Sequence, residues 1–341
     1  MSDILDPVVG PHRDETVSSW LTRWLGQHQC QRSDLLAQLS QSRAELAIAL
    51  IAEPDYPNAP GWARALAAVT GVDSNDLEQI AWPPSPWVLS TTARRSVCVA
   101  CLGEDGSITN QYMRQTWTDS WRTMCQRHGL PLIYAPALGW GWGGVSTQTR
   151  NSHTALMRRP YTLVENMREA WRKLPCNLTE GVFDAELRLL EVWSEHCSRG
   201  GQNMGVSSGE LRIWEDLLAL CTCNWHPWTD EAPAALVLPT LLAGRSRFFR
   251  ALRLPGFQGE CGLEKFRSIE DPAVRRTALL CVADAMLDIS SKPLRGKSNV
   301  RAGWGWRHVA ANLPVSAWTW LDHRSKHWPP SWRRRVSDWM A

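Results

Sequence analysis

Four residues constrain this chain more than any others: Cys98, Cys101, Cys125 and His128. Two residues separate the members of each pair, and twenty-three lie between the pairs. Two ligands on one tight turn grip one side of a tetrahedral ion, and a second pair brought back by the intervening chain completes it. The pattern predicts a bound zinc ion. Four protein ligands leave no open coordination position, so the site is expected to be structural and not catalytic. Thiolate ligation would make the metal part of the folding free energy, on the order of 10 kcal/mol or more. Around the pairs, Tyr112, Trp117 and Trp121 are expected to pack against the metal lobe, and Gly129 to turn the chain out after His128. Arg114, Arg122 and Arg127 would contact phosphates or stand in solvent.

The compartment bears on that reading. The start of the chain is acidic and contains Pro and Gly, unlike a secretory leader. No apolar run approaches the roughly 18–20 residues of a membrane span. A cytosolic, reducing environment is therefore expected, in which the 10 cysteines are thiols or metal ligands and not disulfides.

A length of 341 residues suggests two to three domains. The net charge of +3 conceals an asymmetry: residues 1–90 carry a net −6, residues 91–175 a net +6 and residues 292–341 a net +8. Such a division suits a chain that meets protein with one part and nucleic acid with another. The spacing predicts a first helix over 14–28 capped by Asp14, then helices begun by Ser33 and by Ser42. After a Pro-containing loop at 53–60, two short helices flank a tight turn at 70–73, a helix-turn-helix-like unit. Residues 83–95 begin with a Pro-rich stretch and read as a linker. Helices are expected over 163–174, 185–196, 210–220 and 272–288, the last capped by Asp271. Strands are expected only near 112–116 and 131–134. The fold class is thus mainly α, with four parts. These are an N-terminal helical domain at 1–82, the linker at 83–95, a zinc finger with short β elements at 96–135, and a larger helical domain at 136–341.

Two segments carry a family resemblance. The run Asp14-Glu15-Thr16-Val17-Ser18-Ser19-Trp20-Leu21-Thr22-Arg23 resembles the N-terminal signature of the TniQ family, transposition target-selection proteins that include TnsD-like members. The finger resembles the same family through Cys98-x-x-Cys101-Leu102, Tyr112-x-Arg114-x-x-Trp117 and Cys125-x-x-His128-Gly129. Val99 departs from the family's usual Pro after the first cysteine. The resemblance implies a non-enzymatic adaptor in DNA transposition. It would link target recognition to a AAA+ transposition ATPase, which recruits a DDE transposase. Some members of the family bind attachment-site DNA; others dimerise and dock on a CRISPR effector complex with its guide RNA.

Three further readings concern single regions. Cys221, Cys223 and His226 repeat half of the zinc pattern without a Cys-x-x-Cys partner; a second zinc would draw on Cys176, His196 or Cys197. Arg333, Arg334 and Arg335 close a Trp-rich end and are candidates for nucleic-acid contacts, while the spacing of Trp318/Leu321 and Trp332/Val336/Trp339 predicts helices pinned to a core. No Gly-x-Ser-x-Gly, Walker or His-Glu-x-x-His motif occurs, so no enzyme is expected. A zinc-containing, sequence-specific DNA-binding regulator without transposition partners is the alternative. An exposed N-terminal helical face would support a homodimer.

Overall fold

A computed structural model describes residues 10–57, 59–80, 87–106, 110–135, 160–172, 176–198, 209–222, 262–287 and 306–340. The protein is mainly helical, with thirteen α-helices and four two-residue strands among the described residues. Two compact units emerge: residues 1–119 with 134–162, and residues 120–133 with 163–341.

In the first unit, α1 (Val17–Gln27) places apolar residues at 17, 20, 21, 24 and 25 on one face, and all five are buried. Its N-cap is Thr16, whose hydroxyl accepts from Ser19 N at 3.2 Å. Asp14, the cap expected from sequence, lies two residues too early. Its carboxylate instead accepts from the Tyr112 hydroxyl at 2.8 Å. The expected pair of helices after it forms as two segments of α2 (Arg32–Ala52), separated by a kink at Arg43 (φ −153°, ψ 71°), one residue after Ser42. The start is Gln31, whose N–H donates to Asp34 at 3.0 Å, and not Ser33. Next come α3 (Trp62–Thr70) and α4 (Ser74–Gln79), joined by three residues. Gly71 adopts φ +74° at the end of α3, a conformation that Gly tolerates best, and Asp73 caps α4 through Asn75 N at 2.8 Å. Leu39, Leu50, Leu66 and Leu77 join the core against α1. Burying a side chain of this size contributes about 1.5–3 kcal/mol.

The stretch expected to be a linker is packed where it is described. Trp87 and Leu89 are fully buried, and Leu89 N donates to Thr118 O at 2.7 Å. Arg94 is also buried and donates to Glu53 at 2.6 Å and Asp55 at 2.6 Å. Residues 83–86 lie outside the described residues.

The two resemblance segments meet inside this unit. Thr16 N donates to Met113 O at 2.9 Å, Gln115 N to Asp14 O at 2.8 Å, and Met113 N to the Ser19 hydroxyl at 2.9 Å. Gln115 also donates its amide to the carbonyls of Glu15 and Ile80. Residues 112–116, expected as a strand, form one antiparallel bridge between Arg114 and Glu15.

The second unit is built around a helix buried on every side. It contains α6 (Pro160–Arg172), α7 (Cys176–Ser198), α8 (Gly209–Thr222), α9 (Gly262–Ser268), α10 (Pro272–Leu287), α11 (Trp306–Asn312), α12 (Val315–Ser325) and α13 (Pro330–Met340), although α6 begins in the first unit. In α10 every residue from Pro272 to Met286 is buried, as expected of a helix at the centre of its unit. Asp271 accepts from Ala273 N at 2.8 Å, the cap expected from sequence. Trp328 is 1% exposed, and its indole donates to Asp216 of α8 at 2.8 Å. Arg324 of α12 reaches the same carboxylate at 2.9 Å. Leu321 and Val336 are buried too, so α12 and α13 are pinned by apolar residues at helical spacing.

Candidate metal centre

The first ligand pair sits where a strand becomes a helix. After β1 (Ser96–Val97), Cys98 is the N-cap residue of α5 (Val99–Glu104), which brings Cys101 round in its first turn. Leu102 N closes that turn onto Cys98 O at 3.1 Å. The second pair sits on a tight hairpin. Strand β2 (Met124–Cys125) pairs antiparallel with β3 (Leu130–Pro131), with Cys125 opposite Leu130. Gly129 takes φ +59° at its end and donates to Cys125 O at 2.8 Å, which lets His128 turn back toward Cys125. A last strand, β4 (Ile133–Tyr134), pairs with β1.

These turns bring Cys98, Cys101, Cys125 and His128 together, with one donor atom of each within 4.8 Å of the others. It is the only such group of potential ligands among the described residues. The three cysteines are buried and unbridged, and His128 is partly exposed. The donor set fits a metal ion. Cys125 Sγ and His128 Nδ1 are 3.6 Å apart. Bond lengths of about 2.3 Å to sulfur and 2.0–2.1 Å to nitrogen require a tetrahedral edge of about 3.6 Å. Three soft thiolates and an imidazole select zinc-like ions over hard cations such as magnesium or calcium.

A buried cation, Arg114, lies beside the first pair and is itself paired with Asp105 and, at 3.4 Å, with Asp14. Three thiolates and a neutral imidazole on a dication would leave one net negative charge. Arg114, 6% exposed, binds Asp105 through two hydrogen bonds, 2.7 and 3.0 Å. Burial works against its charge, but Asp105 and the Cys101 sulfur outweigh burial and hold the guanidinium above its ordinary pKa. Arg114 also lies over the rings of Tyr112 at 4.3 Å and Trp117 at 5.0 Å. The expectation of solvent or phosphate around Arg114 is therefore corrected: it is an internal cation. Arg122 lies over Trp121 at 4.1 Å, and Arg127 is exposed. Trp117 and Trp121 are buried, as expected.

Of the other candidate ligands, Cys221 alone has a described side chain. Cys221 is fully buried in α8. Cys223, His226 and the side chains of Cys176, His196 and Cys197 lie outside the described residues. Arg333, Arg334 and Arg335 are exposed on α13. Two of them are tethered: Arg333 donates to Trp328 O at 2.9 Å, and Arg335 donates to Ala285 O at 3.2 Å, near the end of α10. Sequence reasoning missed the most connected carboxylate near the finger. Glu15 is fully buried and accepts from Ser19 Oγ at 2.9 Å, Arg23 Nε at 2.8 Å and His12 N at 3.1 Å. In the sequence Glu15 stands between Asp14 and Thr16 in the signature run, eight residues before Arg23, and nothing there marks it as buried.

No helix among the described residues is long and apolar enough to cross a membrane. The TniQ family model matches residues 7–132, a span that includes both resemblance segments and all four clustered ligands. No curated protein and no solved structure matches the chain.

Proposed function

From the match of the TniQ family model to residues 7–132, we propose that this protein is a non-enzymatic adaptor for target-site selection in DNA transposition. It links a recognised target, either attachment-site DNA or a CRISPR RNA-guided complex, to a AAA+ transposition ATPase and through it to a DDE transposase. The family match carries the reading. The four-residue cluster supports it, because the match ends just beyond His128. Zinc is the proposed ion, with Cys98, Cys101, Cys125 and His128 as its ligands. Its role is to cross-link two turns that have few strand residues of their own.

The expected parts enter this proposal as functional divisions: a helical head at 1–82, a connecting stretch at 83–95, the finger at 96–135 and the helical body at 136–341. Exposed Arg334, which makes no hydrogen bond or ion pair among the described residues, is the strongest phosphate contact of the 333–335 cluster. Ile48 and Ile51 of α2, 67% and 56% exposed, are the proposed contact of a homodimer.

Co-purification tests the proposal. The full chain is expected to retain the AAA+ ATPase encoded beside a DDE transposase, and loss of the chain is expected to abolish insertion at the selected target. Tight binding to one DNA sequence, with no ATPase retained and no effect on insertion, would establish the regulator instead.

A further inference from the structure

Thr123 stands two residues before Cys125, at the entry to the hairpin that carries the second ligand pair. Its main-chain N–H and its hydroxyl donate to the same atom, Glu186 Oε1 of α7, at 2.7 and 2.6 Å. Its carbonyl accepts from Leu132 N at 2.9 Å, which closes the base of the hairpin. The same carbonyl accepts from the Arg276 guanidinium of α10 at 2.9 Å, and Arg276 also reaches Leu132 O at 3.5 Å. Both charged side chains are buried, Glu186 at 3% and Arg276 at 1% exposure. Taking ions out of water is costly unless fixed partners replace it. Here the partners are the polar groups of Thr123, at the root of a metal-binding turn, with Leu132 O as a second acceptor for Arg276. Glu186 and Arg276 also lie outside the matched span of residues 7–132.

We propose that Glu186 and Arg276 are positioning residues for the metal centre, holding the Cys125–His128 hairpin in its binding geometry, so that metal binding in turn stabilises α7 and α10. The coupling is reciprocal by thermodynamic necessity. It rests on the reading of the four-residue cluster as a metal centre. Outer partners of this kind typically contribute a factor of about 10–100 to metal affinity.

The test uses the full chain, with zinc affinity measured by chelator competition and ligand geometry by the d–d bands of the cobalt-substituted protein. Glu186→Ala, with helicity retained, is expected to lower zinc affinity about 10–100-fold and to shift the cobalt bands. Glu186→Gln keeps a carbonyl oxygen for both Thr123 donors and is expected to restore affinity to within about threefold. Thr123→Val keeps the N–H but loses the hydroxyl, and is expected to fall between them. In the wild-type chain, chelation is expected to speed amide exchange in α7 and α10. Wild-type affinity and cobalt bands in folded Glu186→Ala overturn the inference. If that variant does not fold, an unchanged Thr123→Val overturns it. A wild-type chain that binds no metal overturns the metal reading itself, and the coupling with it.

Discussion

Arg94 shows how much a single side chain holds in place. It joins Glu53, 36% exposed, to Asp55, 4% exposed, and Asp55 also accepts from Ser18 N at 2.8 Å in the first turn of α1. Removing one member of a buried pair leaves the other charge without compensation, at about 3–5 kcal/mol. Arg94→Leu is expected to destabilise the chain by about that amount in urea titrations. Arg94→Lys should cost less but still weaken it, because one ammonium lacks the planar fork that serves two carboxylates. A second residue makes stability depend on pH. Burial, and then neighbouring Asp216, push the Glu215 carboxyl up to about 7 from 4.5, against Arg324 and Arg212. A carboxyl raised on folding binds its proton more tightly in the folded state. Its contribution is therefore whole below about 4.5 and is lost as pH rises through about 7. Glu215→Gln is expected to raise Tm at about pH 8, at roughly 2–4 °C per kcal/mol, with the gain shrinking toward about pH 5. A constant offset across that range would exclude Glu215 as the source.

At the level of helices, the caps repay testing first. Thr16→Ala removes the acceptor of Ser19 N and is expected to cost about 1 kcal/mol. Gly71→Ala forces a Cβ into a left-handed conformation and is expected to cost about as much. Differential scanning calorimetry would measure both. The helices themselves were legible because their apolar residues recur at helical spacing. The expected spans 210–220 and 272–288 agree with α8 and α10 to within two residues at each end. The ligand quartet was legible because its spacing follows from coordination chemistry. The caps were less so: Asp14 and Thr16 are both good cap residues, and the choice was made by Tyr112, almost a hundred residues away, which takes Asp14. The strands defeated periodicity because two residues are too few to alternate. Residues 112–116 read as a strand, yet only Arg114 bridges, to Glu15. Arg275 and Arg276 sat in a helix whose burial on all sides removes any polar face to read. Burial draws the two guanidiniums down to about 9 and 10, while backbone carbonyls accept from one Nη of each.

For the molecule as a whole, metal removal gives the broadest test. Chelation is expected to add three reactive thiols per chain, from Cys98, Cys101 and Cys125, to those that react in the native protein. An unchanged thiol count after complete chelation would contradict ligation by these cysteines. Charge gives a second test. Replacing Arg333, Arg334 and Arg335 together by Gln is expected to lower DNA affinity and to flatten its dependence on salt, the mark of lost phosphate contacts. Arg333 and Arg335 also hold backbone carbonyls, so Arg334→Gln alone should produce most of the flattening with little loss of stability. The pairing of residues 14–19 with residues 113–115 has a consequence in time. A ribosome adds roughly 5–20 residues each second. The chain from Glu15 to Gln115 therefore takes about 5–20 s to follow, plus the wait for it to clear the exit tunnel. Throughout that interval α1 can bury its apolar face, but Thr16 N, Asp14 O, Glu15 O and the accepting side of the Ser19 hydroxyl lack their partners at residues 113–115. Nascent chains arrested before residue 110 should lose their first helix to protease, and chains arrested with residue 119 outside the tunnel should keep it.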